Sequence, residues 1–214
     1  MKIQDGIHLV GSGQAGCMIS HRCDSHVYLL ESDDGHILID AGVGLDNGRI
    51  LDNVRAAGLD PSDIAHLLLT HSHADHAGGA AGLKDELGCS VAVGAPEAGL
   101  LESSDLMDQG LDIAIMDGIY PDGYRFPNCT PDTVFQGGET FTAGPWNVTA
   151  ILVPGHSSGS ICYHMTNGGR NILFSGDVVV HSGKLMFLNC VGSVMADMRA
   201  YMPRLANLDV EEFY

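Results

Sequence analysis

Three histidines and an aspartate fall within six residues in the segment His71-Ser72-His73-Ala74-Asp75-His76. Imidazole nitrogens and carboxylate oxygens are ligands for zinc, and also for iron or manganese. Because His71 and His73 are two residues apart, both side chains can point to one side of an extended turn and share a metal. Asp75 and His76 belong to the next bend and would face a neighbouring position. The segment therefore predicts two adjacent metal sites, and each needs further ligands from elsewhere in the chain.

The residues around this motif predict a turn between a strand and a helix. Leu67-Leu68-Leu69 ahead of it is typical of a short buried strand, and Gly78-Gly79-Ala80-Ala81 behind it opens a predicted helix that runs to about residue 87. Strand-to-helix turns are where α/β proteins place ligand-binding and catalytic groups. A polar loop whose histidines bond only to solvent and backbone is the alternative, and it explains so dense a cluster less well.

Further ligand-type side chains follow other predicted strands. Asp40 ends the run Ile37-Leu38-Ile39, His156 follows Pro154-Gly155, and Asp177 follows Ser175-Gly176. The strand ends near Asp40 and Asp177 resemble each other, and so do those near His71 and His156. These similarities suggest two related halves, each of which delivers polar groups at the ends of strands.

The remaining pattern predicts mainly strands and turns. Strands are expected at residues 3–10, 26–30, 36–39, 90–93, 139–143, 147–153, 161–165 and 171–175. Helices are expected at 49–57 and at 196–208, where Pro203 would kink or interrupt the second one. Residues 102–131 form an irregular insertion with three prolines and several aromatics. Two interpretations stay open for it, a lid over the site and a surface excursion with a few aromatics packed beneath it.

Length and composition limit the class of protein. The 214 residues are enough for one domain with one sizeable core, and no apolar run approaches the roughly 18 residues of a membrane span. The formal net charge of −17, with only ten Lys and Arg, argues against a nucleic-acid partner. The six cysteines show no CxxC spacing and the first residues form no apolar signal segment, so we expect reduced thiols and a cytoplasmic protein.

These motifs, in this order, make the sequence resemble the metallo-β-lactamase superfamily over essentially its whole length, 1–214. The resemblance implies a single α/β domain (α+β by some schemes). Its fold would be an αββα sandwich in which two mixed β-sheets are flanked by helices. The metals would lie at the edges of the two sheets.

The resemblance also implies a role for each ligand-type residue. His71, His73 and His156 would bind a first zinc, Asp75 and His76 a second zinc, and Asp177 would bridge the two. Asp40 would support a ligand histidine through its other ring nitrogen. Iron and manganese remain alternatives to zinc. His26, His181 and Tyr163 are expected at the rim of the site or in contact with substrate.

The implied activity is hydrolysis of a small-molecule ester, thioester or lactone. A metal-bound hydroxide would attack the carbonyl, and Asp75 would orient it and accept its proton. Residues 71–79, 154–163 and 174–177 look most like the glyoxalase II branch, which contains the hydroxyacylglutathione hydrolases. The lactamases that named the superfamily lack a bridging aspartate, so Asp177 argues against that activity.

The sequence leaves two other classes of protein open besides a hydrolase. Members of the superfamily that oxidise persulfides hold one iron with two histidines and an aspartate, and His71, His156 and Asp177 could serve in that way. A non-catalytic metal-binding module with the same fold is the other rival. Metal content and oxygen consumption would separate these possibilities from a hydrolase.

One departure from the family pattern concerns the second metal site. The family places a further histidine after its last short strand, whereas this sequence stops at Tyr214. We therefore expect the final C-terminal motif to be missing and the second metal to bind more weakly. An unpaired strand edge would also be left near the cleft, and a second copy of the chain could cover it as a homodimer.

Overall fold

Two mixed β-sheets pack face to face in the computed structural model, which describes residues 1–103, 105–107 and 110–214. The first sheet has seven strands, arranged in the order in which they follow one another along the chain. They are β1 (Lys2–Gln4), β2 (Ile7–Gly11), β3 (Val27–Leu30), β4 (His36–Ile39), β5 (Ile64–Leu68), β6 (Ser90–Gly94) and β7 (Thr133–Phe135). Strands β1 to β4 pair antiparallel and β4 to β7 pair parallel.

The second sheet has five strands. Four consecutive strands form its antiparallel part: β8 (Thr140–Ala143), β9 (Trp146–Leu152), β10 (Ile161–Asn167) and β11 (Arg170–Phe174). A separate two-stranded ladder follows, made of β12 (Val179–Val180) and β13 (Lys184–Leu185). The last strand, β14 (Glu212–Phe213), pairs parallel with β11 and so makes the second sheet mixed as well.

Helices cover the outer faces of both sheets. They are α1 (Asn47–Ala56), α2 (Ala74–Ala77), α3 (Ala80–Leu87), α4 (Ala98–Glu102), α5 (Leu111–Met116) and α6 (Met195–Tyr201). Buried residues of α1, α3, α4 and α5 join the core cluster on the first sheet, and Met198 of α6 joins the cluster on the second. Within the described ranges, no helix has both the length and the apolar character that a bilayer crossing needs.

Side chains alternate between the two faces of each strand, which divides the core into layers. In β4, Ile37 and Ile39 point toward the second sheet while Leu38 joins the helix-covered cluster. In β10, Tyr163 points toward the first sheet while Cys162 joins the cluster against α6. The predicted αββα arrangement with two mixed sheets is therefore confirmed.

Three predicted elements differ from the structure in more than the exact position of their end residues. The expected first strand at 3–10 is a hairpin of β1 and β2, because Gly6 adopts φ 70° between them. The helix predicted to open at Gly78 begins at Ala80 as α3, and a separate four-residue helix that was not predicted, α2, covers the second half of the histidine motif. The last helix ends at Tyr201 and is followed by a 3-10 turn at Met202–Arg204, which contains Pro203.

The insertion at residues 102–131 combines both interpretations proposed from the sequence. Leu111 to Tyr120 contributes residues to the lining of the main cleft. Tyr124 and Phe126 are buried in the core cluster of the first sheet. Residues 104, 108 and 109 of this insertion lie outside the described residues.

Candidate metal centre

All the predicted metal ligands come together at one edge of the sandwich. Strands β4 and β5 are parallel neighbours, so Asp40 and the segment His71 to His76 follow them at the same edge of the first sheet. Strands β9 and β11 both pair antiparallel with β10 and therefore run in the same direction. Their carboxyl ends carry His156 and Asp177. The ligands thus come from both sheets.

His71, His73 and His156 form a compact histidine triad. One nitrogen from each ring lies within 4.8 Å of the others, and His156 Nε2 is 3.0 Å from His73 Nδ1. The ring centroids are 4.5 to 4.8 Å apart and the rings meet edge-on, so the nitrogens converge on one point. Three converging imidazoles are a ligand set that suits zinc.

Two of these rings are oriented by hydrogen bonds through the nitrogen that faces away from the triad. His71 Nδ1 lies 3.0 Å from the Thr70 hydroxyl oxygen, and His156 Nδ1 lies 3.2 Å from the carbonyl oxygen of Met186. If each Nδ1 carries the proton, Nε2 is left as the metal-binding atom. This is the usual arrangement around a metal-binding histidine.

Asp177 lies between the triad and His76. Its Oδ1 is 3.4 Å from His76 Nε2 and its Oδ2 is 3.6 Å from His156 Nε2. His71, His76 and Asp177 form a second group of potential ligands. Asp75 stands beside this group, with Oδ2 3.7 Å from His76 Nε2, and the Ser25 hydroxyl is 2.7 Å from the same nitrogen. One carboxylate therefore faces both ligand groups, as a bridging ligand must.

Asp40 and Thr70 support two ligand histidines together. Asp40 Oδ2 is 2.7 Å from His76 Nδ1, and the same carboxylate accepts bonds from the backbone N–H and the hydroxyl of Thr70 at 2.7 and 2.8 Å. Through Thr70 the network reaches His71 as well. Asp40 adopts φ 63°, in the left-handed region that non-glycine residues occupy infrequently. Such strain is typical of functional positions.

Gly176 is required for Asp177 to reach its place. The glycine adopts φ 51°, and a Cβ on it would lie 2.6 Å from the Thr70 hydroxyl oxygen. A side chain would therefore collide with the support that orients His71. The strand-end sequence Ser175-Gly176-Asp177 is explained by this close approach.

The pKa values of the triad histidines and of His76 are shifted in opposite directions. Burial, with the neighbouring histidines, lowers the pKa of His71 well below its usual range and that of His156 to about 4. Burial also opposes charge on His76, but the carboxylates of Asp177, Asp75 and Asp40 outweigh it and raise its pKa. Burial lowers the pKa of His73 as well, so the triad is neutral at pH 7 and ready to bind a cation.

A buried nitrogen of His71 without a hydrogen-bond partner indicates that these residues suit a metal. His71 Nε2 is buried and has no hydrogen-bond partner in the structure, although it points into the triad. Leaving such a nitrogen unpaired costs about 1–3 kcal/mol, so a partner is expected. A cation beside His73 and His156 would supply it. The donor set and its geometry therefore fit a metal ion.

Glu97 is a functional-site residue that sequence reasoning missed. Its fully buried carboxylate accepts the backbone N–H of Ser72 at 2.6 Å and that of Gly159 at 2.8 Å. The first N–H lies between His71 and His73, and the second lies three residues after His156. Glu97 thus joins the two turns that carry the triad. The signal was present, because Glu97 follows strand β6 much as Asp40 follows β4.

Tyr120 is the second residue that was missed. Its hydroxyl donates to Asp75 Oδ1 at 2.8 Å, and its ring stacks on Tyr124 at 5.3 Å. Burial, followed by the Asp75 charge, raises the pKa of the Tyr120 hydroxyl and keeps it protonated as a donor. Nothing in the sequence indicated this contact, because Tyr120 belongs to the irregular insertion.

A cleft of about 960 Å³ opens above the ligands. His26 and His181 line it, in the region expected from the sequence, with His26 half-buried and His181 exposed. The placement of Tyr163 at the rim was wrong. Its side chain is fully buried between the sheets and its hydroxyl donates to the carbonyl of Leu69 at 2.8 Å. Alternation along β10 directs Tyr163 into the core.

The fold and this site define an α/β sandwich in which potential metal ligands come from both sheets. A family model described as the metallo-beta-lactamase superfamily matches residues 22–209, so the chain belongs to that superfamily. Among solved structures, a metallo-β-lactamase of Cronobacter sakazakii with a HARLDQ motif is 27% identical with a TM-score of 0.78. The match covers 100% of this chain and 78% of that one. A subclass B3 metallo-β-lactamase of Bradyrhizobium japonicum is 26% identical, with a TM-score of 0.77 and coverages of 100% and 75%.

Two curated relatives are named as a thioesterase and as a hydroxyacylglutathione hydrolase. The acyl-coenzyme A thioesterase MBLAC2 of Gallus gallus is 32% identical over an alignment of 177 residues, and the match covers 77% of this chain and 61% of that protein. The hydroxyacylglutathione hydrolase of Bdellovibrio bacteriovorus is 32% identical over 162 residues, which are 75% and 51%. The chain therefore spans between half and two thirds of the length of these two relatives.

Proposed function

We propose that this chain hydrolyses thioesters with a zinc-containing centre built from His71, His73, His156, His76, Asp75 and Asp177. The observation that carries the proposal is the position of Asp177. Its two carboxylate oxygens face His76 and His156 at 3.4 and 3.6 Å, so one side chain can serve two metals. The names of the two curated relatives support a thioester as the substrate.

The protein's own residues would position the reactants and handle the proton. A divalent metal held by these residues would supply a Lewis acid and would lower the pKa of a bound water to about 7. Asp75, fixed at Oδ1 by the Tyr120 hydroxyl, accepts the proton of the attacking water at Oδ2. Asp40 and Thr70 keep His76 and His71 in the ring orientation that binding needs. The C–S bond breaks and the thiol product leaves as a thiolate without a general acid, because a free cysteine thiol has a pKa of only about 8.5. The thiolate then takes up a proton from solvent.

The experiment combines metal content with turnover. Zinc-loaded protein is analysed for metal per chain and assayed against a panel of thioesters, esters and lactones. We expect two metals per chain and thioester hydrolysis that a chelator abolishes and zinc restores. The variant Asp177→Asn should lose at least about 100-fold in turnover, since even supporting residues around a metal contribute about 10–100-fold.

Two results would refute the proposal. One is a fully metal-loaded protein that hydrolyses no member of the panel. The other is a chain that holds a single iron and consumes oxygen with a persulfide, which would favour the rival oxygenase. Asp177→Glu serves as the matched control, because it keeps the charge and should retain more metal than Asp177→Asn.

A further inference from the structure

The cleft extends well beyond the metal-binding residues along two apolar walls. Its volume of about 960 Å³ is near the upper end of the roughly 300–1,000 Å³ typical of small-molecule pockets. One wall carries side chains of α5 and the residues after it, and the other carries side chains of the segment from β12 to residue 188. We call these six side chains the apolar arm: Leu111, Ile113 and Ile119 on the first wall, Val179, Met186 and Leu188 on the second.

Each wall of the apolar arm is attached to a metal-ligand residue. On the first wall, Tyr120 directly follows Ile119 and its hydroxyl bonds to Asp75 at 2.8 Å. On the second wall, the carbonyl oxygen of Met186 lies 3.2 Å from His156 Nδ1. The chain segments next to the two walls also approach each other, since a Cβ on Gly110, just before α5, would lie 2.8 Å from the Cβ of Cys190, two residues after the second wall. The arm therefore begins beside the reacting centre.

The charges around the arm favour an uncharged occupant. No Lys or Arg occurs among the described residues that line the cleft, and the whole chain has a formal net charge of −17. Asp117, on the same wall as Ile113, adds a further carboxylate. Ile113, Ile119 and Leu188 are 44%, 54% and 43% exposed, so substantial hydrocarbon surface remains in contact with solvent. A hydrocarbon chain laid against these side chains would remove it from water.

We infer that the apolar arm binds the hydrocarbon chain of the acyl group. The substrate is then a thioester whose acyl group is uncharged and of medium chain length. The inference rests on the proposed thioesterase function. The acyl side is the one that fits, because coenzyme A and glutathione, the thiols in the relatives' names, are polar and anionic. In the apolar arm their negative charges would have no described Lys or Arg side chain to pair with, so we expect the thiol part to lie outside the arm.

A chain-length series tests the inference on the zinc-loaded protein. The substrates are N-acetylcysteamine thioesters with acetyl, butanoyl, hexanoyl and octanoyl groups, none of which carries a charge. We expect kcat/KM to rise about two- to fourfold per added methylene, the upper value corresponding to about 0.8 kcal/mol for a fully buried methylene. The pentanoyl thioester should also exceed the glutaryl thioester, which has the same carbon count and a terminal carboxylate, by at least tenfold.

Two variants on one helix assign the effect to the arm. Ile113→Asp places a carboxylate in the arm and should reduce the octanoyl-to-acetyl ratio of kcat/KM by at least tenfold. Met116→Asp is the matched control, because Met116 lies on the same helix, is 85% exposed and is not part of the cleft lining. The octanoyl-to-acetyl ratio of kcat/KM for Met116→Asp should equal that of the unmodified chain.

The outcomes separate this inference from the proposed function. Hydrolysis that is independent of chain length, or faster with the glutaryl group, leaves the thioesterase in place and overturns the apolar arm. If no thioester is hydrolysed, the proposed function fails, and calorimetry with acyl hydroxamates of the same chain lengths tests the arm by itself. Affinity that rises with chain length then supports the arm, and constant affinity overturns it.

Discussion

His76 differs from the other imidazoles of the site because three carboxylates surround it. Asp40 bonds to its Nδ1 at 2.7 Å, while Asp177 and Asp75 lie 3.4 and 3.7 Å from its Nε2. These charges raise the pKa of His76 against the effect of burial, whereas burial lowers the pKa of His71 and His156. At neutral pH the metal-free site therefore holds its proton on His76.

We predict that loading both metals releases about one proton from His76 at pH 7. The histidine must be deprotonated to bind a metal, so the affinity rises with pH until the raised pKa of His76 is passed and then levels off. The triad makes no such contribution near pH 7, because it is already neutral. Calorimetric titration in two buffers of different ionisation enthalpy counts the released protons.

The control for this prediction is His76→Asn, which keeps a polar side chain but no titrating group. The unmodified chain should release about one proton more than this variant, beyond any proton lost by bound water. Equal release from both proteins would show that His76 is neutral before the metal arrives.

At the scale of elements, strand ends determined how far the site could be predicted. Asp40, His71, His156 and Asp177 each follow a short apolar strand, and short-range sequence patterns report such positions directly. Glu97 also lies shortly after a strand, β6, but its contacts and those of Tyr120 depend on which turns meet in space, and a local pattern does not contain that information. The prediction that Tyr163 lies at the rim was wrong for a related reason. Strand β10 is buried on both faces, so its sequence does not show which residues point away from the cleft.

Glu97 connects two turns that belong to different sheets, and we predict that Glu97→Gln lowers metal affinity by about 10–100-fold. A carboxylate accepts the N–H groups of both Ser72 and Gly159, whereas a Gln amide has one oxygen and must turn its NH₂ toward the second donor. The turns bearing His73 and His156 would then lose their common anchor. Competition with a chromogenic chelator measures the affinity.

Glu102→Gln is the matched control, because Glu102 is an exposed carboxylate on α4, the helix that directly follows Glu97. It should bind metal as the unmodified chain does. The melting temperature of the metal-free variants separates anchoring from general instability. If Glu97→Gln lowers that temperature but leaves metal affinity unchanged, Glu97 stabilises the fold without positioning the ligands.

At the scale of the whole molecule, the metal site lies where two separately built sheets meet. The periodicity of the sequence predicted the individual strands, whereas the two layers of sheet were implied by the family resemblance, and the structure confirms them. The assembly of one site from both sheets followed only from the family resemblance, because it depends on how the sheets stack. The apolar arm was not foreseen at all, since its walls come from α5 and a segment without a regular sequence period.

Because the ligands come from both sheets, metal binding should stabilise the chain as a whole without being needed for its folding. The core between the sheets contains Trp146, Tyr163 and Phe174, all fully buried and independent of the metal. We predict that a chelator lowers the melting temperature by about 10 °C. A metal at 1,000 times its dissociation constant contributes about 4 kcal/mol, and 1 kcal/mol corresponds to about 2–4 °C for a domain of this size.

Differential scanning calorimetry and hydrogen exchange test this prediction together. Chelation should remove exchange protection from the turns at residues 70–78, 154–160 and 175–179, while strands β4, β5, β9 and β10 stay protected. Zinc should restore both the melting temperature and the protection, and His71→Ala should show little response because His71 belongs to both ligand groups. If chelation exposes the strands of one sheet as well, that sheet depends on the metal for its structure, and the independence of the hydrophobic core is refuted.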